Sequence, residues 1–371
     1  MTPVRVFVAA TSYPRNALDW QGRFIFDQAA ALARQDVRIT LWAPPGDLPQ
    51  GVESALAAED ARWLDALRSR GGITRALRRN PLAGAWTGFG LLRRLRAACR
   101  REIRRPASTD FYLIDWLQNA LALPDDGRPA VVAVLGSDFG LLRLPGMVAA
   151  LRRQFRRRRA LLAPNAGWMA ARLHALFGDV AHVEPNHFGV DPRWFAVTRS
   201  ATPGRWLVVS RITKRKLGDL AAWGEGLFSR ARPLDLLGPT QDATTLPDWI
   251  VYHGATNPDA LRTHWFPRAA GLLTLSQHDE GRPQVLIEAM AAGLPVVASR
   301  IPAHADLLRH GETGWLVDDR AAFSAALVEA ADPAVALRVG SAARAFASKE
   351  IGTWDDCARR YLAQLESLRA A

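Results

Sequence analysis

The sequence has 371 residues, of which 49% are hydrophobic and 23% are charged, a composition that excludes a disordered chain and allows two globular domains. No run approaches 18 uncharged apolar residues, so no membrane-spanning helix is predicted, and the short apolar start indicates a first strand and not a signal peptide. The 48 basic residues outnumber the 36 acidic ones, and the net charge of +12 favours an anionic partner: nucleic acid, phospholipid or a phosphorylated substrate.

The acidic and sulfur-containing residues do not form a recognisable metal-binding pattern. Cys99 and Cys357 are far apart in the sequence and predict neither a disulfide framework nor a metal site, which fits a reducing cytoplasm. The paired acids Asp125-Asp126, Asp318-Asp319 and Asp355-Asp356 fall in predicted loops or helix ends and are interpreted as solvated groups. The sequence therefore predicts no metal and no cofactor.

The chain opens with a predicted strand (residues 4–10), helix (24–33) and strand (37–42). The long loop between the first strand and the helix lies where open α/β sheets bind ligands, at the carboxyl end of the strand. It carries Tyr13-Pro14, Arg15, Gly22 and Arg23. Gly22 is equally explained as a simple turn glycine, and the two arginines either reach a phosphate or are solvated.

A basic segment, residues 68–105, follows, with aromatic and leucine residues between its arginines. Such a segment suits the face of an anionic membrane, and it equally suits an ordinary pair of solvated helices. Nucleic acid is disfavoured because the usual aromatic platforms and recognition signatures are missing. A second basic run covers residues 152–159. The arginines of the first segment are Arg68, Arg70, Arg75, Arg78, Arg79, Arg93, Arg94, Arg96, Arg100, Arg101, Arg104 and Arg105.

Further buried strands are predicted at residues 111–114, 130–135 and 160–163. Asp138, just after the second of these, is a candidate for the acceptor side of a site, or equally a helix N-cap. Polar, turn-rich residues 198–204 predict a linker. The sequence thus predicts a first domain over 1–197, a second over 204–352, and a last helix, about 353–371, that packs back on the first domain.

The second domain opens with a predicted strand (205–210) followed by Arg211 and Lys216 ahead of a helix. Arginine is a bidentate fork and lysine a mobile point charge, so the two predict a cradle for an anion. A solvated basic turn is the alternative. A later strand ends at His253.

Residues 271–299 predict a strand, a loop, a helix that starts near Pro283 and ends at Gly293, and another strand. Gly281 leaves backbone N–H groups uncovered at the helix start, which suits a phosphate. Glu280 and Glu288 are separated by a helical rise of about 12 Å, whereas glycosidase pairs lie about 5–9.5 Å apart. We therefore expect each to accept hydroxyl hydrogen bonds from a different part of one long ligand. The alternative is a surface Glu beside a helix start.

Residues 280–295 resemble the donor-binding segment of retaining GT-B glycosyltransferases, especially family 4 (glycosyl transferases group 1). The signature is Glu, seven residues, Glu, small residues, Gly-x-Pro and an apolar strand, and it matches throughout. The resemblance covers nearly the whole chain and is strongest over residues 205–317. It implies an α/β protein of the GT-B class, with two Rossmann-like parallel-sheet domains facing across a cleft.

The resemblance also implies roles for individual residues. Arg211 and Lys216 would hold the donor diphosphate, Glu288 the ribose, and Glu280 the transferred sugar. Further donor-binding positions are Gly22, His253 and the helix start at Gly281, Arg282, Pro283 and Gln284, while Tyr13, Arg15 and Asp138 are acceptor-side candidates. The chain departs from the family pattern at Leu135, where a His near the sugar is usual, and at Ser210 and Leu217, where glycines are usual.

The expected activity is a metal-independent, retaining transfer of a sugar from a UDP- or GDP-sugar to a lipid-linked or envelope-glycan acceptor in polysaccharide biosynthesis. The expected location is the cytoplasm, including the inner face of the plasma membrane. Two alternatives stay open: a GT-B enzyme of another reaction, such as a nucleotide-sugar epimerase, and a catalytically silent protein that binds anions or RNA.

Overall fold

The structure, a computed structural model, describes residues 4–202, 204–278 and 280–370, without the side chains of Thr74, Arg78 and Ala370. Parts of four predicted segments lie outside these residues: 1–3 of the chain start, Pro203 of the linker, Asp279 of the loop before Glu280, and Ala371 of the last helix. The chain divides into two compact units, Met1–Phe188 with Trp354–Ala371, and Gly189–Thr353.

The strands follow the apolar runs of the sequence. They are β1 (Arg5–Ala9), β2 (Arg38–Trp42), β3 (Val52–Ser54), β4 (Phe111–Asp115), β5 (Ala130–Val134), β6 (Ala160–Pro164), β7 (His182–Val183), β8 (Leu207–Val209), β9 (Leu234–Leu237), β10 (Ile250–Tyr252), β11 (Leu272–Thr274), β12 (Val296–Ser299) and β13 (Trp315–Val317).

Helices alternate with the strands. They are α1 (Arg23–Ala33), α2 (Ala58–Ser69), α3 (Gly72–Arg79), α4 (Pro81–Ile103), α5 (Asp138–Leu141), α6 (Met147–Phe155), α7 (Ala170–Phe177), α8 (Lys214–Leu217), α9 (Leu220–Gly224), α10 (Pro258–Ala260), α11 (Phe266–Arg268), α12 (Gln284–Ala291), α13 (Pro302–Ala305), α14 (Arg320–Ala331), α15 (Pro333–Phe346) and α16 (Trp354–Ala370). Short 3₁₀ turns cover Leu117–Ala122, Gly167–Met169 and Pro192–Trp194, and π turns cover Leu261–Trp265 and Ala347–Ile351.

Both units contain a parallel sheet, and the first six strands of each unit follow the same order. Within the described residues the first sheet has seven strands, β3-β2-β1-β4-β5-β6-β7, and the second has six, β10-β9-β8-β11-β12-β13. Each order runs outward one way and then reverses, between β1 and β4 and between β8 and β11, as in doubly wound folds. Apolar clusters cover both faces of each sheet, which explains why the central strands are continuous apolar runs.

The second unit begins earlier in the sequence than the polar stretch at 198–204 suggested. Val190 donates its N–H to the carbonyl of Gly352 at 3.1 Å, and the Trp194 ring lies 5.0 Å from that of Phe266. These apolar residues are buried in the core of the second unit, so polarity of the following segment does not mark the boundary. At the other end of the chain, α16 packs in the apolar core of the first unit with α1.

Asp115, the last residue of β4, is fully buried at the point where the first sheet reverses its order. Its carboxylate oxygens have no hydrogen bond of good geometry within the described residues. Burial raises the pKa of Asp115 well above its ordinary value of 3.8, a shift that Gln28 opposes and Asp138 reinforces. The folded protein therefore holds a proton on this carboxyl more tightly than the unfolded chain does.

We expect Asp115→Asn to stabilise the protein at pH 8 and to change stability little near pH 4. Because the folded-state pKa is raised, wild-type stability falls as the pH rises above 3.8, by about 1.4 kcal/mol per pH unit until the folded-state pKa is reached. A neutral amide carries no such dependence. Thermal unfolding at the two pH values measures the difference, with the exposed Asp125→Asn as control. An equal shift at both pH values would contradict the assignment.

Candidate active site

The candidate active site lies at the carboxyl ends of β8 and β11, the adjacent strands at which the second sheet reverses its order. The chain leaving β8 carries Arg211 and Lys216, and the chain leaving β11 carries Ser276 and Glu280. Because carboxyl ends of parallel strands meet at one edge of a sheet, these two loops lie together. The predicted anion cradle and the first predicted glutamate thus fall in one place.

A buried ion pair joins the two loops. Lys216 Nζ lies 2.6 Å from Glu280 Oε1, and the two side chains are only 14% and 12% exposed. Ser276 Oγ donates to the same carboxylate oxygen at 3.0 Å. Burial alone would raise the pKa of Glu280, but the Lys216 ammonium and these hydrogen bonds hold it below its ordinary value. Burial lowers the pKa of Lys216, helped by the charge of Arg211 and opposed by Glu280.

The loop of Lys216 is fixed against the loop of Glu280 by its backbone. Thr213 caps α8 by accepting from the Lys216 N–H at 3.2 Å, and the Gln277 N–H donates to the Arg215 carbonyl at 2.8 Å. Gly218 has a φ of +53°, and a Cβ at this position would lie 1.8 Å from the Leu275 carbonyl oxygen. Only glycine fits so close an approach, which brings Lys216 within reach of Glu280.

Three buried side chains, those of Ser276, Ser299 and His304, support this pair. The sequence alone did not indicate a role for any of them. Ser299, the last residue of β12, donates its hydroxyl to the Ser276 carbonyl at 2.6 Å. His304 Nδ1 lies 2.8 Å from the Ser299 carbonyl, so it carries the proton and donates it there. Burial lowers the pKa of His304 below its ordinary value of 6.5, which favours the neutral ring at neutral pH. The available signal was position, because Ser276 and Ser299 both lie at carboxyl ends of neighbouring strands.

The helix start predicted to hold phosphate is α12. Pro283 has extended backbone angles and precedes the first helical residue, Gln284, while Gly293 follows the helix with a φ of +71°. The Arg282 guanidinium is buried and lies 2.7 Å from Asp306, and the Gln284 amide donates to the Gly189 carbonyl at 2.9 Å. Both side chains have protein partners, so a donor role for this stretch, which stays a prediction, rests on its backbone N–H groups.

Gly22 immediately precedes α1 in the first unit. Its φ is +70°, and a Cβ would lie 2.5 Å from the Tyr13 nitrogen, so the backbone approach requires glycine. Tyr13 itself is buried and donates its hydroxyl to the Asp47 carbonyl at 2.9 Å. The packing of its own loop therefore explains why residue 22 is a glycine. The donor-binding role of Gly22 and the acceptor-side role of Tyr13 stay predictions.

The remaining candidates also have partners. Arg15 is exposed and lies 3.4 Å from Asp65. Asp138 is buried at the start of α5 and accepts from the Leu117 and Leu135 N–H groups at 2.7 and 3.0 Å, and burial raises its pKa to about 6. His253 contacts Asp235 at 2.8 Å. Glu288 is half-buried on α12. The acceptor and donor roles of these residues stay predictions.

Known proteins resemble the second unit over part of its length. Residues 220–332, which contain Glu280 and Glu288, match the family model described as glycosyl transferases group 1. The D-inositol 3-phosphate glycosyltransferase of Streptomyces scabiei is 41% identical over 97 residues, which are 25% of this chain and 21% of that relative. The chain thus matches about a fifth of the length of that curated relative.

Solved structures match almost the whole chain. Sucrose-phosphate synthase from Thermosynechococcus elongatus has a TM-score of 0.70 at 14% identity over 99% of both chains. Anabaena HepE, solved with UDP, has a TM-score of 0.67 at 14% identity over 98% of this chain and 100% of that one. HepE has also been solved with UDP-glucose. At such identities the likeness establishes the fold: this chain has the GT-B fold of these glycosyltransferases.

We expect Lys216→Met to lower the free energy of unfolding by about 3–5 kcal/mol at pH 7, because it leaves the Glu280 carboxylate buried without its cation. The pKa of Glu280 is depressed, so the pair stabilises the protein above pH 4.5 and its contribution is lost as the pH falls through the folded-state pKa. Denaturant unfolding at pH 7 measures the loss.

The double variant Lys216→Met/Glu280→Gln should recover most of that loss, because no buried charge remains. Lys214 is exposed two residues away on the same short helix, α8, and Lys214→Met is the control that should change stability little. Glu280→Gln alone completes the comparison. If the losses measured for Lys216→Met and for Glu280→Gln simply add in the double variant, the two residues are not coupled.

Proposed function

We propose that this chain is a glycosyltransferase that moves a sugar from a nucleoside-diphosphate sugar to an acceptor, with retention of configuration at the anomeric carbon. The observation that carries the proposal is the buried Lys216–Glu280 pair, beside Arg211, at the reversal point of a Rossmann-like sheet. The family match over residues 220–332 supports it. HepE, which shares the fold, was solved with UDP and with UDP-glucose, which supports a UDP-sugar as the first donor to test.

In the proposed reaction the donor diphosphate is held by Arg211, as a bidentate fork, and by Lys216, as a point charge. The backbone N–H groups of Gly281, Arg282 and Gln284, around the start of α12, add hydrogen bonds aligned with the helix dipole; Pro283 has no N–H to donate. These groups stabilise the negative charge that builds on the leaving phosphate. Fixed cations and N–H donors supply this stabilisation themselves, which makes the proposed transfer metal-independent.

Glu280 suits hydroxyl binding better than covalent attack. Its Oε1 already accepts from Lys216 and Ser276, and the resulting low pKa reduces its basicity and hence its nucleophilic strength. We therefore assign Glu280 to the hydroxyls of the transferred sugar and Glu288 to the ribose. Retention then follows a front-face path, in which the departing phosphate takes the proton of the attacking acceptor hydroxyl while the sugar–phosphate bond breaks.

We expect UDP-glucose or a related nucleotide sugar to raise the melting temperature, because a ligand that binds only the folded state stabilises it. Glu280→Gln should lower the transfer rate at least 100-fold while UDP still raises the melting temperature of the variant, because Arg211 and Lys216, which hold the diphosphate in the proposal, are unchanged. Glu312→Gln, on an exposed turn of the same unit, is the control.

Equal losses of UDP binding and of transfer in Glu280→Gln would remove Glu280 from the sugar role. A failure of every nucleotide sugar to change the melting temperature would overturn the proposed function. Product analysis separates the alternatives: an isomerised sugar released with free UDP, without a glycosylated acceptor, would indicate an epimerase.

The acceptor proposed here is lipid-linked or an envelope glycan, reached at the cytoplasmic face of an anionic membrane. Helix α4 exposes Leu82, Trp86 and Phe89. Exposed arginines lie on the same helix and on α3, the combination expected of a surface that inserts between headgroups. Asp60 pairs with Arg94 at 3.0 Å and with Arg101 at 2.9 Å. Fewer arginines are therefore available to lipid headgroups than the sequence indicates. In the described part of the chain, no helix has the length and apolar character needed to cross a bilayer.

We expect Trp86→Ser/Phe89→Ser to weaken binding to phosphatidylglycerol vesicles at least tenfold, because burial of the two rings in the interface is lost. Leu18→Ser removes an apolar side chain that is 70% exposed in the loop before α1, and this variant should bind as wild type. Vesicle co-sedimentation at low and high salt measures both. No wild-type binding at low salt, or equal binding by all variants, would remove the membrane from the proposal.

A further inference from the structure

A groove of about 1370 Å³ lies in the second unit at the amino ends of the strands, the end opposite to Lys216 and Glu280. Gly204 to Trp206 lead into β8, Pro233 leads into β9, and Ala270 leads into β11, and all of them line it. Its volume exceeds the range of about 300–1,000 Å³ that is usual for small-ligand pockets. The groove therefore has room for an extended ligand.

The wall of the groove is mainly apolar. Phe195, Trp206 and Phe228 line it from three different segments of the unit. On its rim, Val328 of α14 and Leu337 of α15 are 72% and 69% exposed. Large apolar side chains this exposed beside an apolar groove are typical of a surface that another apolar group covers.

Two arginines lie together in the groove. Arg199 donates to the Gly293 carbonyl at 3.4 Å, and Arg344 donates at 2.9 Å to the carbonyl of Val197, two residues before Arg199, so the two guanidinium groups lie close together. Arg199 donates to the Ala269 and Ala270 carbonyls at 3.0 and 3.1 Å, and Arg344 donates to the Ala292 carbonyl at 2.7 Å. These bonds hold the guanidinium groups in place but cancel neither charge.

The positive charge of this pair is not compensated within the described residues. No Asp or Glu is among the described residues that line the groove. Arg199 and Arg344 donate to backbone carbonyls, whereas Arg205, another arginine of the groove wall, pairs with Asp235. The Nε atoms of Arg199 and Arg344 are both buried without a hydrogen-bond partner. Arg199 and Arg344 are half-buried. Two adjacent guanidinium groups that are partly removed from water and have no acid beside them attract an anion.

We propose that this groove binds a single-chain anionic amphiphile, with its acidic head group at Arg199 and Arg344 and its acyl chain along the apolar wall. A small anion alone would leave the wall and the exposed rim uncovered, whereas a neutral chain would leave the arginine charges unpaired. An amphiphile satisfies both features at once. The proposal concerns a ligand at the amino ends of the strands and does not depend on the reaction proposed for the carboxyl ends.

The probe that tests this is dodecyl phosphate below its micelle concentration, measured by isothermal titration calorimetry. Each buried methylene adds about fourfold in affinity, so octyl phosphate should bind at least tenfold more weakly. Dodecyl maltoside, with a neutral head group, should also bind at least tenfold more weakly, and inorganic phosphate should show no measurable binding. Absence of dodecyl phosphate binding, or equal binding of the neutral and anionic chains, would overturn the proposal.

Rim variants distinguish the groove from general attraction to a basic protein. Val328→Asp and Leu337→Asp each place a negative charge where the acyl chain enters the groove, so each should weaken dodecyl phosphate binding at least tenfold. Because both positions are exposed, neither substitution should prevent folding. Leu18→Asp, at a position 70% exposed in the first unit, carries the same charge change and should bind as wild type. Equal weakening in all three variants would mean that net charge alone attracts the probe, and would overturn the proposal.

Arg344→Gln tests the head-group contact. It should remove the preference for dodecyl phosphate over dodecyl maltoside while the dependence on chain length remains. A retained head-group preference would contradict the assignment of the arginine pair. Circular dichroism checks that the variant is folded, since Arg344 also bonds backbone carbonyls, and the rim variants decide the matter if it is not.

Discussion

The ion pair between Lys216 and Glu280 depends on one topological constraint, the adjacency of β8 and β11 at the reversal of strand order. Parallel strands leave their loops at the same edge, so two loops that are 64 residues apart in the sequence, counted from Lys216 to Glu280, meet there. Gly218 then allows the first loop to approach the Leu275 carbonyl more closely than any side chain would permit. Sheet order selects which loops meet, and a single glycine sets how near they come.

Burial gives this pair its chemical character. In water two such charges would interact weakly, but at 14% and 12% exposure their attraction is strong and their desolvation costly. The result is a carboxylate that stays ionised and an ammonium whose position is fixed. In the proposed reaction this is electrostatic preorganisation, since the cation that meets the diphosphate is in place before charge develops. Ser276, Ser299 and His304 extend the fixed network inward by hydrogen bonds.

The features that could be predicted from the sequence are those that depend on hydrophobic periodicity and on the positions of strand ends. The α/β class and the arrival of Arg211, Lys216 and Glu280 at strand ends follow from apolar runs and the loops between them, whereas the two Rossmann-like domains were expected from the family resemblance. Side-chain partners do not follow in the same way, because they depend on residues distant in sequence. Arg282 forms an ion pair with Asp306, and the sequence around either residue does not predict that contact. The start of the second unit was similarly hidden, because buried apolar residues precede the polar stretch that looked like a linker.

The cations at the two ends of the second sheet have different partners: a carboxylate at the carboxyl end and backbone carbonyls at the amino end. At the carboxyl end Lys216 has Glu280, so the protein alone neutralises the charge and an incoming anion must share the cation with that carboxylate. At the amino end Arg199 and Arg344 have only backbone carbonyls, which orient a guanidinium without neutralising it. The first arrangement suits a ligand that binds and leaves in every catalytic cycle. The second, with its apolar wall, suits a ligand that stays bound.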